Sequence, residues 1–596
     1  MKTNNIIAKS LAAAALVAGG FAAASCTDWD DHYGVDAGTA EANATLWENI
    51  AARPELSDFA AILKKGGYDR HLSGSQAYTV WAPANGSFDF AAVDAITDSA
   101  TLHKEFIQNH IARNSYPASG QVDLRVPMLN AKSTVFAGAG DYTMSGVPVT
   151  TPNIPSLNGT MHIVGAQLPF RMNIYEKLIA GVPGADSVTA FYRSFHRKEF
   201  VEALSTPGPM VDGQLSYLDS VFVESNDLVT RYMANIMGED SAYTMVVPKD
   251  AAWNAAKAKI ASYLDYPGEY FNYFDASVPV RTTTKDSQTK SLKLNSAYLK
   301  DSLVTKLLMQ DLFYSQNMYG NKPLANIASG APVVDSLVST YYGKMYTEDA
   351  AHLFSQGETI EASNGNLWVT DELRMRPWMT WCQPIAIEAE AAGYWATDNS
   401  SQSSGSNYYI AGVSKQTQND SVVGTVSGNS YIEIRSNTSS GTPQWGWFLP
   451  YVMSTTYNLY VVTVPGNITD PEIEPQATEI RADISYYAKK TENIVDPNDS
   501  TKTINVATTS IVDKKVGKNL NTNAGKIDTL FFGSFTFPVS CYGISEAKPL
   551  LKLRVQKSKK NENMLRIDKI ILMPKELDDF IEQHPGYKYP APLGFN

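Results

Sequence analysis

Two tryptophans separated by one glycine, Trp445 and Trp447 in QWGWFLP, are the side chains of this 596-residue chain best suited to holding a ligand. Exposed, such a pair would stack on the apolar C–H faces of sugar rings, with Tyr408 and Tyr409 beside it from the polar stretch SSQSSGSNYY. The same i, i+2 spacing also places two rings on one face of a strand, which is how a core face reads. Asp470, Glu472 and Glu474 share one stretch and offer hard oxygen ligands of the kind Ca²⁺ takes, but no EF-hand pattern surrounds them, and a solvated acidic loop is the plainer reading. Cys382 and Cys541 read as two buried free thiols, with a bridge between them as the alternative.

Motifs for catalysis are missing. The chain has no GxSxG elbow, no HExxH, no CxxC and no GxxxxGK[ST], and its eight histidines are spread singly. Nothing in the spacing of the carboxylates singles out a glycosidase pair. The expectation is a non-enzymatic protein with no cofactor and no metal ion. With 61 acidic against 49 basic side chains the net charge is −12, which argues against nucleic acid as a partner. KSKK (557–560) reads as a solvated loop.

The elements that would position these residues follow from length and pattern. Apolar content of 44% and charge of 18% describe folded modules, and the length suggests about three to four domains. Lys2 and Lys9 precede the apolar run LAAAALVAGGFAAAS (11–25), which is short for a membrane span. Ala23-Ala24-Ser25-Cys26 resembles a bacterial lipobox. That resemblance implies a signal peptide over 1–26, cleaved before Cys26, with acyl chains on Cys26 as the membrane anchor. An ordinary secretory signal with an incidental cysteine is the alternative. TDWDDHY follows, in a linker over 27–42, and resembles the surface-export signal of Bacteroidetes lipoproteins, with a solvated acidic linker as the alternative. The expected location is the outer membrane, lipid-anchored and facing outward.

One pattern occurs twice. YTVWAPANGSF (78–88) and YTMVVPKDAAW (243–253) share Tyr-Thr, three apolar residues, Pro, an Asn or Asp two residues later, and a closing aromatic. Upstream of the first, Leu46, Ile50, Phe59, Ile62 and Leu63 recur at helical spacing, Pro54 and Ser57-Asp58 can start a second helix, and Gly66-Gly67 stops it. YTVWA reads as a buried strand that Pro83 ends, and Asn85 as the cap of the helix that follows it. Asn158-Gly159 reads as a hairpin turn with positive φ at both central positions, and TMHIV as the returning strand.

YTVWAPANGSF, FIQNHIA and NGTMHIVGAQLP, in that order, resemble the fasciclin (FAS1) domain, and the likeness spans 43–170. His110 and His162 fall on that family's two histidine positions. Each reads as a satisfied core residue, with ligand contact as the alternative. Gly165 stands where the family often has Asp. The looser second copy covers 171–386, closes on Asn364-Gly365, has Asp250 in place of Asn85 and Trp368 in place of His162, and carries insertions such as 280–301.

From 387 the pattern turns to strands. About eight of them, among them YNLYVVTV and MLRIDKIIL, suggest a jelly-roll-like β-sandwich over 387–577, followed by a tail over 578–596. IEAE (387–390) is similar to the opening of galactose-binding-like carbohydrate modules. The expected class is therefore α+β multidomain, two FAS1-like domains and a sandwich. The whole layout resembles Bacteroidetes surface lipoproteins with two fasciclin-like domains. The resemblance implies binding or adhesion to a glycan or matrix protein, beside SusC/SusD-like uptake machinery. An assembly subunit without its own ligand, and a glycan-processing enzyme, are the other readings.

Overall fold

The computed structural model describes residues 40–588 apart from 205, 212, 220–221, 276–288, 317–335, 397–408, 416–424, 436–441, 469–471, 473, 497 and 557–562. The chain folds as two units, 1–172 and 173–596.

In the first unit Thr45 opens the helix Leu46–Ala51 with a capping box, its hydroxyl accepting from Glu48 N–H while the Glu48 carboxylate accepts from Thr45 N–H. Ser57–Lys65 buries Phe59, Ile62 and Leu63 at i, i+3, i+4. β1 (Tyr78–Pro83) runs antiparallel to β2 (Ile111–Arg113) and parallel to β7 (Gly159–Val164). The sheet continues outward from β7 through β6 (Val147–Ser156), β5 (Tyr142–Met144) and β4 (Ser133–Ala139) to β3 (Gln121–Pro127). Alternation along β1 serves two cores: Val80 and Ala82 pack with the helices, and Trp81 packs with Phe136 and Val126 of the meander.

The second unit begins with the helices Ile174–Ala180 and Asp186–Ser194. Two hairpins follow, the outer pair β8 (His196–Phe200) and β11 (Phe222–Asn226) and the inner pair β9 (Thr206–Val211) and β10 (Gln214–Asp219). β12 (Tyr243–Pro248) is the counterpart of β1. A hairpin of β13 (Tyr270–Phe274) and β14 (Thr289–Lys293) precedes β15 (Phe313–Ser315), and β16 (Ser336–Val338) pairs with β17 (Lys344–Tyr346). β18 (Glu358–Ala362) and β19 (Gly365–Thr370) close a four-stranded sheet ordered β15-β12-β19-β18.

The register repeats that of the first unit. Tyr78 faces Gly159 and Arg113; Tyr243 faces Gly365 and Ser315. The two copies of the sequence motif therefore share one strand register.

Two antiparallel sheets make the rest. β20 (Ile385–Glu388), β21 (Tyr409–Lys415), β22 (Ser430–Arg435), β24 (Thr456–Thr463), β27 (Asp528–Thr536) and β29 (Met564–Pro574) form one. β23 (Gln444–Phe448), β25 (Glu479–Asp496), β26 (Asp499–Asn521) and β28 (Leu550–Val555) form the other. A sandwich-like pair of sheets is thus present, with β25 and β26 extended into a long ribbon. Where a tail is expected from 578, the helix Lys575–Gln583 docks through buried Leu577, and Asp578 accepts hydrogen bonds from Asn458 and Tyr460.

Candidate functional site

The repeated motif is built from the same hydrogen bonds in both copies. Asn158 Oδ1 accepts from Leu46 N–H at 2.8 Å, and its amide donates to the carbonyls of Leu72 and Gly74. Asn364 Oδ1 accepts from Ile174 N–H at 2.9 Å, and its amide donates to the carbonyls of Ile236 and Gly238. Each asparagine therefore ties a helix start and a loop to the closing hairpin. The hairpin geometry differs from the one expected. Ser156 pairs with Gly159, so Leu157 and Asn158 are the central residues, and neither has positive φ. Gly159 is required for another reason. Its φ is +147°, and a Cβ there would lie 1.9 Å from Tyr78 O; Gly365 meets Tyr243 O in the same way.

Asn85 does not cap the helix after it. Phe90–Asp94 is capped by Asp89, which accepts from Ala92 N–H. Asn85 Oδ1 accepts instead from Asp58 N–H, in the first turn of the preceding helix Ser57–Lys65. Asp250 does the same for Ser187 N–H of Asp186–Ser194, at 2.7 Å. The cap chemistry read from sequence is retained, but it acts backward along the chain, on a helix brought near only by folding.

Both histidines are buried and fully partnered. His110 donates from Nδ1 to Phe106 O (2.7 Å) and accepts at Nε2 from Leu168 N–H (2.9 Å). His162 uses the opposite tautomer, donating from Nε2 to Tyr116 O and accepting at Nδ1 from Asn153 N–H. Desolvation lowers each to about 4, so both are neutral at physiological pH. The register puts Leu312 at the position of His110 and Trp368 at that of His162. Trp81 stacks on His162 across β1 and β7; in the second copy the indole stands on the other strand, with Val246 opposite Trp368.

Trp445 and Trp447 are core residues, 3% and 0% exposed, so the expected stacking pair is not open to solvent. The alternation that places both rings on one face turns that face inward. Trp447 Nε1 and Trp395 Nε1 both donate to Ala389 O, and Trp395 meets Trp445 edge-on. The IEAE stretch thus receives this aromatic cluster. Glu388 accepts from Ser427 and pairs with buried Lys569 at 3.2 Å, and Glu390 accepts from Ser430. Burial lifts Asp568 to about 7.

Of the other candidates, Cys26, Tyr408 and Asp470 lie outside the described residues, as does KSKK, and Tyr409 is placed as the first residue of β21. Glu472 and Glu474 are exposed. Among the described residues no group of three or more His, Cys, Asp or Glu is arranged to hold a metal ion. Cys382 and Cys541 are free and buried.

Within the second unit, the repeat and the sandwich are joined by specific hydrogen bonds. Asn272 N–H donates to Thr509 Oγ1 and Phe274 N–H to Tyr487 OH, both from β13. Tyr263 OH donates to Glu576, and Tyr266 OH to Tyr542 O at 2.7 Å. Residues 289–293 of the expected insertion form β14, the strand that completes the hairpin carrying Asn272.

Residues 54–168 match the Fasciclin domain family, so the chain carries a FAS1 domain there. Among solved structures, a FAS1 domain pair from the insect cell adhesion molecule Fasciclin I aligns at 11% identity and TM-score 0.18, over 56% of this chain and 97% of that one. A Paenibacillus xanthan lyase aligns at 13% identity and TM-score 0.18, over 36% of this chain and 15% of the lyase. A family 11 carbohydrate-binding module from Clostridium thermocellum aligns at 9% identity and TM-score 0.16, over 32% and 95%. No curated protein matches. Likeness at this level identifies neither a ligand nor an activity.

Proposed function

We propose that this protein is a non-catalytic binding or adhesion protein, held on the outer face of the outer membrane by lipid on Cys26. One observation carries the non-catalytic part. The second repeat retains the hydrogen bonds that build the motif, at Asn364, Gly365 and Asp250, and replaces both histidines by apolar side chains. A repeat that keeps its frame without either histidine does not need them for its fold, which fits a scaffold. The two repeats and the sandwich would then present ligand, a glycan or a matrix protein, beside SusC/SusD-like uptake components.

Affinity purification from detergent-solubilised membranes, with mass spectrometry of co-eluting proteins, tests this reading. Recovery of a TonB-dependent transporter with its lid lipoprotein supports the uptake role. Recovery of the protein alone, with binding on a glycan or matrix array, supports free-standing adhesion. Turnover of a polysaccharide by the purified chain would overturn the non-catalytic reading.

A further inference from the structure

Two consecutive charged residues of β29, Asp568 and Lys569, are buried, 4% and 1% exposed. Strand alternation would send their side chains to opposite faces. A bulge prevents that. β24 pairs Val462 with Lys569 and Thr463 with Ile567, so Asp568 is the extra residue. Both side chains then meet the same neighbours. Glu388 of β20 is the cross-strand partner of Lys569, and its Oε1 lies 3.2 Å from Lys569 Nζ. Ser427 bridges the group: its hydroxyl donates to Glu388 Oε1 at 2.7 Å, and its N–H donates to both carboxylate oxygens of Asp568 at 3.2 Å. Ala389 N–H donates to Asp568 O at 2.9 Å.

A third carboxylate faces the same turn. Glu390 accepts from Ser430 Oγ, and a Cβ on Gly428 would fall 3.8 Å from its Oε1. Among the described residues, Glu388 Oε2, Glu390 Oε2 and Lys569 Nζ are buried without a hydrogen-bond partner. The ammonium is held by charge rather than by a directed bond. Carboxylate and hydroxyl oxygens gathered on one turn are the ligand chemistry of a hard cation such as Ca²⁺, and burying them without a counter-charge is costly. Here the counter-charge comes from the chain itself. The turn 427–430 and the β24 residues Val462 and Thr463 bring no charge of their own. Three carboxyls against one ammonium still leave a surplus of negative charge. Burial lifts Asp568 to about 7 and raises Glu390, so protons offset part of it.

We propose that Lys569 is the built-in cation of a carboxylate pocket, Glu388, Glu390 and Asp568, that fastens the entry strand β20 to β29 without a divalent ion. β20 is the strand by which the chain passes from the second repeat into the sandwich. The residues after it bring Ala389 O and Trp395 against Trp447 and Trp445, so the pocket also holds that aromatic cluster in place.

The test is calorimetry of the full chain and its Lys569→Met variant, which keeps most of the stem and removes the charge. Each is scanned at about pH 5 and about pH 8, in EDTA and in millimolar Ca²⁺. The native second-unit transition should be the same in EDTA and Ca²⁺. In the variant it should fall by about 5 °C or more at the higher pH, and the gap should narrow at the lower pH, where the carboxyls take up protons. A gap of equal size at both pH values would mark Lys569 as a packing residue and overturn the proposal, as would no gap at the higher pH. Stabilisation of the native chain by Ca²⁺, lost in Glu388→Gln, would make the pocket a metal site and overturn it too. Where Lys569→Met does not fold, Asp568→Asn reads the same pocket, since it keeps an acceptor for Ser427 N–H and removes one charge. It should flatten the native decline in melting temperature between about pH 6 and 8, and an unchanged decline would overturn the proposal.

Discussion

Asn272 and Thr509, 237 residues apart, are joined by three hydrogen bonds. Asn272 N–H donates to Thr509 Oγ1 at 2.8 Å, that hydroxyl donates to Asn272 O at 2.7 Å, and the Asn272 side-chain amide donates to Thr509 O at 3.1 Å. Thr509 is almost fully buried, so the exchange takes place where water cannot substitute. It fastens β13 of the second repeat to the ribbon strand β26.

Thr509→Val keeps the shape and removes the hydroxyl. Two polar groups of Asn272 are then left without that partner, and about 1–3 kcal/mol of stability is lost from the second unit. Hydrogen exchange should quicken at 270–274 before it does elsewhere in the unit. Unchanged protection there would contradict a joint held by this pair.

Acidification separates the two units. His110 and His162 titrate near 6.5 unfolded and about 4 folded, so between those values the unfolded chain binds more protons. Their contribution is complete above about pH 6.5 and declines as pH falls, by up to about 1.4 kcal/mol per pH unit for each. In the second unit Asp311 is raised to about 6 and Asp568 to about 7 by burial, which acts in the opposite sense: their contribution is complete below 3.8 and is lost as pH rises through 6 and 7. Calorimetry from pH 7 to 4.5 should show the first unit's transition falling in temperature while the second's holds or rises. A parallel fall of both would count against these assignments.

Gly159→Ala and Gly365→Ala each push a Cβ into a tyrosine carbonyl oxygen. Each should cost about 1–3 kcal/mol or more, because neither backbone can move without breaking the parallel pairing of the central strand. The first should lower only the first unit's melting transition and the second only the other's.

Trp447→Ala should destabilise the second unit by about 3–5 kcal/mol, since a fully buried indole and its bond to Ala389 O are both removed. Tyr451→Gly, four residues on, should leave the melting temperature nearly unchanged. Chemical denaturation of the two variants side by side reads the contrast.

Cys382 and Cys541 should be inert to iodoacetamide in the native chain and reactive after unfolding. Burial pushes the Cys382 thiol up to about 12 and Cys541 higher still, so almost no thiolate is present at neutral pH. A mass shift of two alkyl groups only after denaturation also distinguishes free thiols from a bridge.

What the sequence by itself determined is local and periodic. Tyr-Thr, three apolar residues and Pro mark a buried central strand because β-branched and aromatic side chains fit a sheet covered on both faces, and the motif coincides with β1 and β12. Asn158 and Asn364 are legible as hairpin residues, since the Asn-Gly pair is a strong local signal. Their further role, fixing helix starts at Leu46 and Ile174, is not, because the partner amides lie 112 and 190 residues away. Asn85 reads as the cap of the helix it precedes for the same reason: the helix it serves is near only in the folded chain.

The Trp445–Trp447 pair shows the limit most clearly. Alternation states that two rings share a face but not which way the face looks. Only the segment after β20, which brings Ala389 O and Trp395 against them, decided that. Tyr451 and Tyr542 carry no pattern in the sequence, since they come from distant segments. Tertiary structure alone brings Tyr451 to Tyr542, and Tyr266 OH to the Tyr542 carbonyl.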